Sequence, residues 1–396
     1  MKQCEVKGCF ENGRWTIFLT GDITHTNAPE MRAGVERLLA EHPAQSLVLD
    51  CDRLSTTSSA GLRVILRLKQ QVDDIRIVNA HSELYDILDM TGFTEMMKVE
   101  KAYRIVSVEG CEEIGHGANG RVYRIDGDTI VKVYRNPNAL DEIRRERELA
   151  RTAFVAGVPT AIPYDVVRVE SGGYGSVFEL LNAKSFAKLL IRGEKTLDEV
   201  AEMSVGLLKL IHSKTAKPDA MPDMRQVALD WVNFLKDHLP EAQYSKLHKL
   251  VKNVPQDLHM IHGDFHIKNI ELQDDEVLLI DMDTLSYGHP VFELAGMFNA
   301  YVGYGAADHG QIERFLGISW DTAGAFWAKC LKCYLGTEDP ARLQEVENKA
   351  KILGYARILR REIRRNSQEQ ADGFALMDIC RKELSELLPK TDSLTF

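Results

Sequence analysis

The chain has 396 residues, 44% of them hydrophobic and 27% charged, with 49 Lys and Arg against 59 Asp and Glu for a net charge of -10. That length exceeds one ordinary core and fits two or three domains. The acidic balance argues against a general nucleic-acid binder, whose affinity comes from Lys and Arg neutralising phosphates. The opening MKQCEVKGCFENG has no apolar stretch after its lysine, and no run of about 18 apolar residues follows, so neither a signal peptide nor a membrane span is expected. Seven scattered cysteines suggest no disulfide framework, and Cys330 and Cys333 fall in an amphipathic stretch, AFWAKCLKCYL, that reads as a packed helix face. The composition is that of a cytoplasmic protein.

Strand and helix signals alternate through the first hundred residues. WTIFLTGDI reads as a strand, Asn27 and Pro29 mark a helix start with Met31, Val35, Leu38 and Leu39 on one face, and SLVLD reads as a short buried strand. The polar run STTSSAG then leads into the helix GLRVILRLKQQV, followed by strand IRIVNA and helix SELYDILDMTG. This alternation indicates a small α/β domain.

The segments FLTGDI, LVLDCDRLSTTSSAGLRVIL and IVNAHSELYDILDMTGF resemble a STAS domain, the fold of anti-sigma-factor antagonists, over residues 1–104. The resemblance implies a phosphorylation switch at Ser59, with Ser58 standing where antagonists usually carry Asp, and a protein partner docking on this domain. Read from its residues alone, Ser59 is a helix cap that satisfies orphan amides. As a switch it would gain about -1.5 to -2 charge at a position the helix dipole favours.

After Val99 the pattern changes. Gly115, Gly117 and Gly120 stand in GxGxxG order, followed by Val122. A dinucleotide fingerprint needs a helix directly after the glycines. Here RVYRI, a DGD turn and TIVKVY follow instead, which is a β-hairpin. A glycine-rich hairpin with a lysine on its next strand is the nucleotide-covering device of the protein-kinase fold, and it makes Lys132 the residue that grips the nucleotide phosphates. The helix ALDEIRRERELARTAFVAG supplies a carboxylate partner: Glu146 shares a face with Ile143, Ala150, Ala153 and Gly157, while Glu148, the rival, sits on the polar side. VFELL, residues 177–181, reads as the strand entering an inter-lobe hinge.

Three chemistries compete for LHMIHGDFHIKNIEL, residues 258–272. His259, His262, His266 and Asp264 are natural metal ligands, but a hydrolytic metal site would leave the glycine hairpin and Lys132 without purpose. A plain polar turn ignores the second acidic element, VLLIDMDTLSYGHP. Phosphoryl transfer accounts for all of it: Asp264 as base, with Asn269 and Asp281 as the hard oxygen ligands that Mg²⁺ requires behind the phosphates of ATP.

In that order, the glycine loop, Lys132, Glu146, Asp264, Asn269 and Asp281 resemble the kinase-like phosphotransferases of the aminoglycoside phosphotransferase and choline kinase group, over residues 108–396. His262-Gly263-Asp264 with His266, and the IDxD of Asp281 and Asp283, follow the small-molecule wording. Asp281 is followed almost at once by GHPVFELA, which leaves no room for an activation segment. The expected architecture is an α/β STAS-like domain at 1–104, then an α+β bilobal kinase-like fold at 108–396, with its N-lobe at about 108–181 and its C-lobe at about 182–396. The expected function is ATP- and Mg²⁺-dependent phosphorylation of a small-molecule hydroxyl. Two alternatives stay open: a protein kinase acting on a STAS-type serine, and a nucleotide-binding signalling module of the antagonist type. Trp231, Phe234, Tyr301, Tyr304, Trp320, Phe326 and Trp327 are candidates for lining a pocket for a cationic substrate, although helical spacing reads most of them as core. The arginines at 357, 360, 361, 364 and 365 read as a solvated helix face.

Overall fold

The computed structural model describes residues 4–42, 45–117, 119–367 and 371–396. The chain divides into two compact units, 1–108 with 166–172, and 109–165 with 173–396.

In the first unit the strands β1 (Glu5–Glu11), β2 (Arg14–Ile23), β3 (Ser46–Thr57), β4 (Asp74–Ala80) and β5 (Lys98–Lys101) lie side by side in chain order. β1 and β2 form an antiparallel hairpin, and every later neighbour is parallel. Each parallel step needs a crossover. These are helices α1 (Ala28–Glu41) and α2 (Ser59–Gln71), then the pair α3 (Ser82–Met90) and α4 (Phe93–Met96). Ile17, Leu19, Leu47, Leu49 and Ile77 are fully buried on the strands, and Met31, Val35, Ile65 and Leu68 meet them from the helices.

The entry to α2 is fixed by sterics. A Cβ on Gly61 would come within 2.3 Å of Thr57 Oγ1 and 2.5 Å of Ile23 Cγ2, so only glycine fits there. The capping side chain is Ser58, whose hydroxyl accepts from Gly61 N at 3.4 Å while its own N–H donates to Ile23 O at 2.7 Å. Reading Ser59 as the cap is therefore off by one residue: Ser59 is the first helical residue, and it is exposed. A short strand, β6 (Arg104–Val106), ends this stretch and pairs in parallel with β10 (Asp165–Val169).

The second unit opens with β7 (Glu112–His116), β8 (Gly120–Arg124) and β9 (Thr129–Tyr134), an antiparallel meander that β11 (Tyr174–Glu179) extends on the β9 side. Helix α5 (Leu140–Val155) buries Ile143, Glu146, Leu149, Ala150 and Ala153. Beyond β11 the unit is mainly helical, with α6 (Phe186–Ile191), α7 (Leu197–His212), α8 (Met224–Phe234), α9 (Glu241–Lys252), α10 (Val291–Tyr301), α11 (Gly310–Leu316), α12 (Trp320–Leu335), α13 (Pro340–Arg364) and α14 (Ala371–Leu387). Set among them are short strand pairs: β12 (Lys184–Ser185) with β14 (Ile270–Gln273), β14 with β15 (Glu276–Leu279), and β13 (Met260–Ile261) with β16 (Ser286–Tyr287). α10 is buried on almost every residue, which is why its sequence, VFELAGMFNAY, lacks a polar face. No described helix is long and apolar enough to cross a membrane.

Candidate active site

The glycine-rich turn between β7 and β8 closes on itself through Gly117 N donating to Gly120 O at 2.9 Å. Gly120 is obligatory, since a Cβ there would stand 2.1 Å from the Val133 carbonyl oxygen on β9. Val122 lies directly across from Lys132 in the β8–β9 register and across from Gly115 in the β7–β8 register, so the three share one patch of the sheet.

Lys132 bridges the two lobes of this unit. Its Nζ donates to Glu146 Oε1 on α5 at 2.8 Å and to Asp281 Oδ1 at 3.0 Å. Burial would lower the Lys132 pKa, but the charges of Asp281 and Glu146 outweigh it and hold the ammonium well above its ordinary range. Glu148 is exposed and pairs with Arg151 at 3.4 Å. Glu146 has a second partner that sequence reasoning missed, the Tyr134 hydroxyl, donating to Oε2 at 2.5 Å and lying 3.2 Å from Ser176 Oγ. Burial and the Glu146 charge push the Tyr134 phenol up. Tyr134 sits two residues after Lys132 on one strand, so the period-two rule places both on one face.

The HGD segment follows β13 and is clamped on all sides. Glu293, fully buried on α10, accepts from the backbone N–H of His262 and, at 2.9 Å, from that of Gly263. Thr284 Oγ1 donates to His262 O at 2.7 Å, and Arg357 Nη1 on α13 donates to Gly263 O at 3.1 Å. Gly263 has φ +83° and a Cβ there would lie 2.8 Å from Thr284 O, so this position needs glycine on both counts.

These clamps present Asp264, whose Oδ2 lies 3.4 Å from His266 Nε2. Burial would raise its carboxyl, but the His266 hydrogen bond and the charges of His266, His262 and Arg357 outweigh that and hold it far below the usual carboxylate range. Asn269 is buried, and its amide nitrogen donates to Asp264 O at 3.0 Å, which leaves its amide oxygen as an available ligand. Asp281 has a left-handed backbone, φ 65° and ψ 68°, a conformation that costs a non-glycine residue about 1–3 kcal/mol and is concentrated at functional sites. Asp283 accepts from Asn119 Nδ2 of the glycine-rich turn at 2.6 Å, and burial followed by the Asp281 charge pushes its carboxyl up to about 7.

Asn269, Asp281 and Asp283 offer oxygen donors only, which would suit Mg²⁺ and no soft metal. Among the described residues no group of three or more His, Cys, Asp or Glu has metal-holding geometry, so this set would hold a cation only together with a ligand that brings further oxygens, such as nucleotide phosphates. The anions here already face a cation and a donor, Lys132 and Asn119, as a phosphate-and-metal site would.

The model of the phosphotransferase enzyme family matches residues 110–326, more than half of the chain. The chain belongs to that family. A STAS domain model matches residues 11–104, so a STAS domain is fused ahead of the phosphotransferase domain. Solved structures to which the chain is similar include the aminoglycoside phosphotransferase APH(2")-IIia in complex with GDP and kanamycin, at 12% identity and TM-score 0.47, covering 78% of this chain and 99% of that one. A thermostable mutant of APH(4)-Ia, in ternary complex with AMP-PNP and hygromycin B, is 13% identical with TM-score 0.48, covering 71% and 94%. A choline/ethanolamine kinase family protein from Mesorhizobium loti is 16% identical with TM-score 0.47, covering 70% and 87%.

Proposed function

We propose that this phosphotransferase moves the γ-phosphoryl group of ATP onto a hydroxyl of a small molecule. The acceptor oxygen attacks the γ-phosphorus, the bond to the β-phosphate bridging oxygen breaks, ADP leaves, and the acceptor proton passes to the Asp264 carboxylate. Asp264 suits this work because its carboxylate is half-open to solvent while the backbone of His262 and Gly263 just before it is fixed by Glu293, Thr284 and Arg357. The turn carrying Gly115, Gly117 and Gly120, with Val122, covers the nucleotide, and Lys132 grips its phosphates. Glu146 sets the aim of Lys132. Asn269 and Asp281 would hold Mg²⁺, which neutralises phosphate charge.

The observation that carries this reading is Lys132 tied at once to Glu146 of one lobe and Asp281 of the other. A small-molecule acceptor is favoured over a peptide because only residues 282–290 separate Asp281 from α10, too few to shape a peptide groove. The STAS domain serves as a docking or gating module, with Ser59 as an exposed position for modification at the α2 N-terminus. Incubation with γ-labelled ATP and Mg²⁺, in the presence of candidate acceptors and of the protein alone, tests the reading. Label on a small molecule supports it, and label on Ser59 with none on any small molecule supports the protein-kinase alternative instead.

A further inference from the structure

Helix α13 brings a row of guanidinium groups to the edge of the catalytic loop. Arg357, Arg360, Arg361 and Arg364 recur at steps of three and four, so they occupy one face. At about 1.5 Å of rise per residue the row extends ~10 Å along the helix from Arg357. Its inner end is anchored, since Arg357 donates to the carbonyl of Gly263, the residue before Asp264.

Arg364 and Arg365 are exposed, as the composition suggests, but Arg357, Arg360 and Arg361 are half-buried against aromatic rings. The Arg357 guanidinium lies 5.2 Å over the Trp231 ring, Arg360 lies 5.8 Å over Phe234, and Arg361 lies 4.4 Å over Tyr304. Three of the rings that were candidates for a cationic pocket, Trp231, Phe234 and Tyr304, therefore already carry the protein's own cations. Contact with the rings restrains these side chains, which lowers the entropy lost when they bind a carboxylate or phosphate.

The row is under-neutralised. Arg361 has a carboxylate near it, Glu362 at 3.5 Å. Arg360 Nε is buried and has no hydrogen-bond partner among the described residues. Burial and the charges of Arg364 and Arg357 lower the Arg360 pKa, with Asp230 the one opposing charge. A donor left unsatisfied inside a positive cluster is relieved by an anion and aggravated by another cation.

We propose that the acceptor is an anionic polyol or hydroxy acid, its phosphate or carboxylate held by the α13 arginines while its hydroxyl faces Asp264. The proposal rests on the phosphotransferase reading above and specifies its substrate class. It sets this chain apart from an enzyme for polycationic sugars or choline, whose charge the row would repel.

The test uses the full chain with its nucleotide site saturated by AMP-PNP and Mg²⁺, titrated calorimetrically with glucose 6-phosphate, gluconate, kanamycin and choline. AMP-PNP binding itself is the control for the underlying reading, because its absence in the wild type sinks that reading before any acceptor is added. Given nucleotide binding, glucose 6-phosphate or gluconate should bind, the better of the two telling phosphate from carboxylate. Affinity should fall at least tenfold in Arg360→Gln/Arg364→Gln, and likewise in the single, exposed Arg364→Gln by a smaller factor. Kanamycin and choline should give no heat. Binding of either cation, no binding of both anions, or anion affinity unmoved in nucleotide-competent variants would overturn the proposal.

Discussion

Replacing Glu146 by Ala removes one corner of the Lys132 bridge and reports on whether that bridge organises the nucleotide site. Breaking a buried ion pair by deleting one partner costs about 3–5 kcal/mol when the survivor is left uncompensated. Lys132 is not wholly abandoned, since Asp281 stays at 3.0 Å and the Lys132 side chain is itself 15% exposed. Tyr134 loses its best acceptor but keeps Ser176 at 3.2 Å. The small cavity left by a 7% exposed side chain adds to the loss. The net expectation is about 2–4 kcal/mol, toward the lower end of the buried-pair range. In urea, with a slope of about 3 kcal/mol/M, the midpoint of the unit containing α5 should fall by about 1 M at unchanged slope. A double-mutant cycle with Lys132→Met should show that the two losses do not add. A midpoint shift below about 0.2 M, together with undiminished affinity for AMP-PNP, would refute the reasoning.

Asp264→Asn should cut turnover by roughly 10²–10⁴ while AMP-PNP still binds, measured by steady-state kinetics and calorimetry side by side. Asp281→Ala should abolish the Mg²⁺ dependence of nucleotide affinity, so that titrations with EDTA and with Mg²⁺ coincide. Gly120→Ala should disrupt the β8–β9 pairing because its Cβ meets Val133 O at 2.1 Å, and nucleotide affinity should be lost with it. A fragment beginning at Arg104, which keeps β6 beside β10, should be more stable to urea than one beginning at Glu109.

Legibility in the sequence followed the distance between partners along the chain. The strands, helices and glycine hairpin were readable because their signals are periodic and local, and Glu146 was separable from Glu148 by helical phase over a separation of 14 residues. The clamps on the HGD segment were not readable. Glu293 lies 30 residues from Gly263, Arg357 lies 94 away, and Asn119 reaches Asp283 across 164. No periodicity encodes such pairings, since they exist only once α10, α13 and the glycine turn have been packed. A carboxylate inside the otherwise apolar VFELAGMF was the one available hint of Glu293, because an ionised group in a buried run needs partners. The Ser58 cap was missed by one residue for a different reason: adjacent serines offer equal chemistry, and the extended backbone of Ser58 decides between them. The arginine row was half legible: Arg364 and Arg365 are exposed as charge on a helix suggests, while the contacts of Arg357, Arg360 and Arg361 with Trp231, Phe234 and Tyr304 are visible only in three dimensions.

The central claim, that this site transfers phosphoryl groups with Asp264 as base, is tested most directly by the release and transfer of label from γ-labelled ATP. Wild type and Asp264→Asn should be compared at equal nucleotide occupancy, with glucose 6-phosphate and gluconate as acceptors and water as the background. The account predicts Mg²⁺-dependent transfer by the wild type and a fall of at least a hundredfold in Asp264→Asn. Equal rates in the two proteins, or a wild type that neither binds nor turns over the nucleotide, would contradict it.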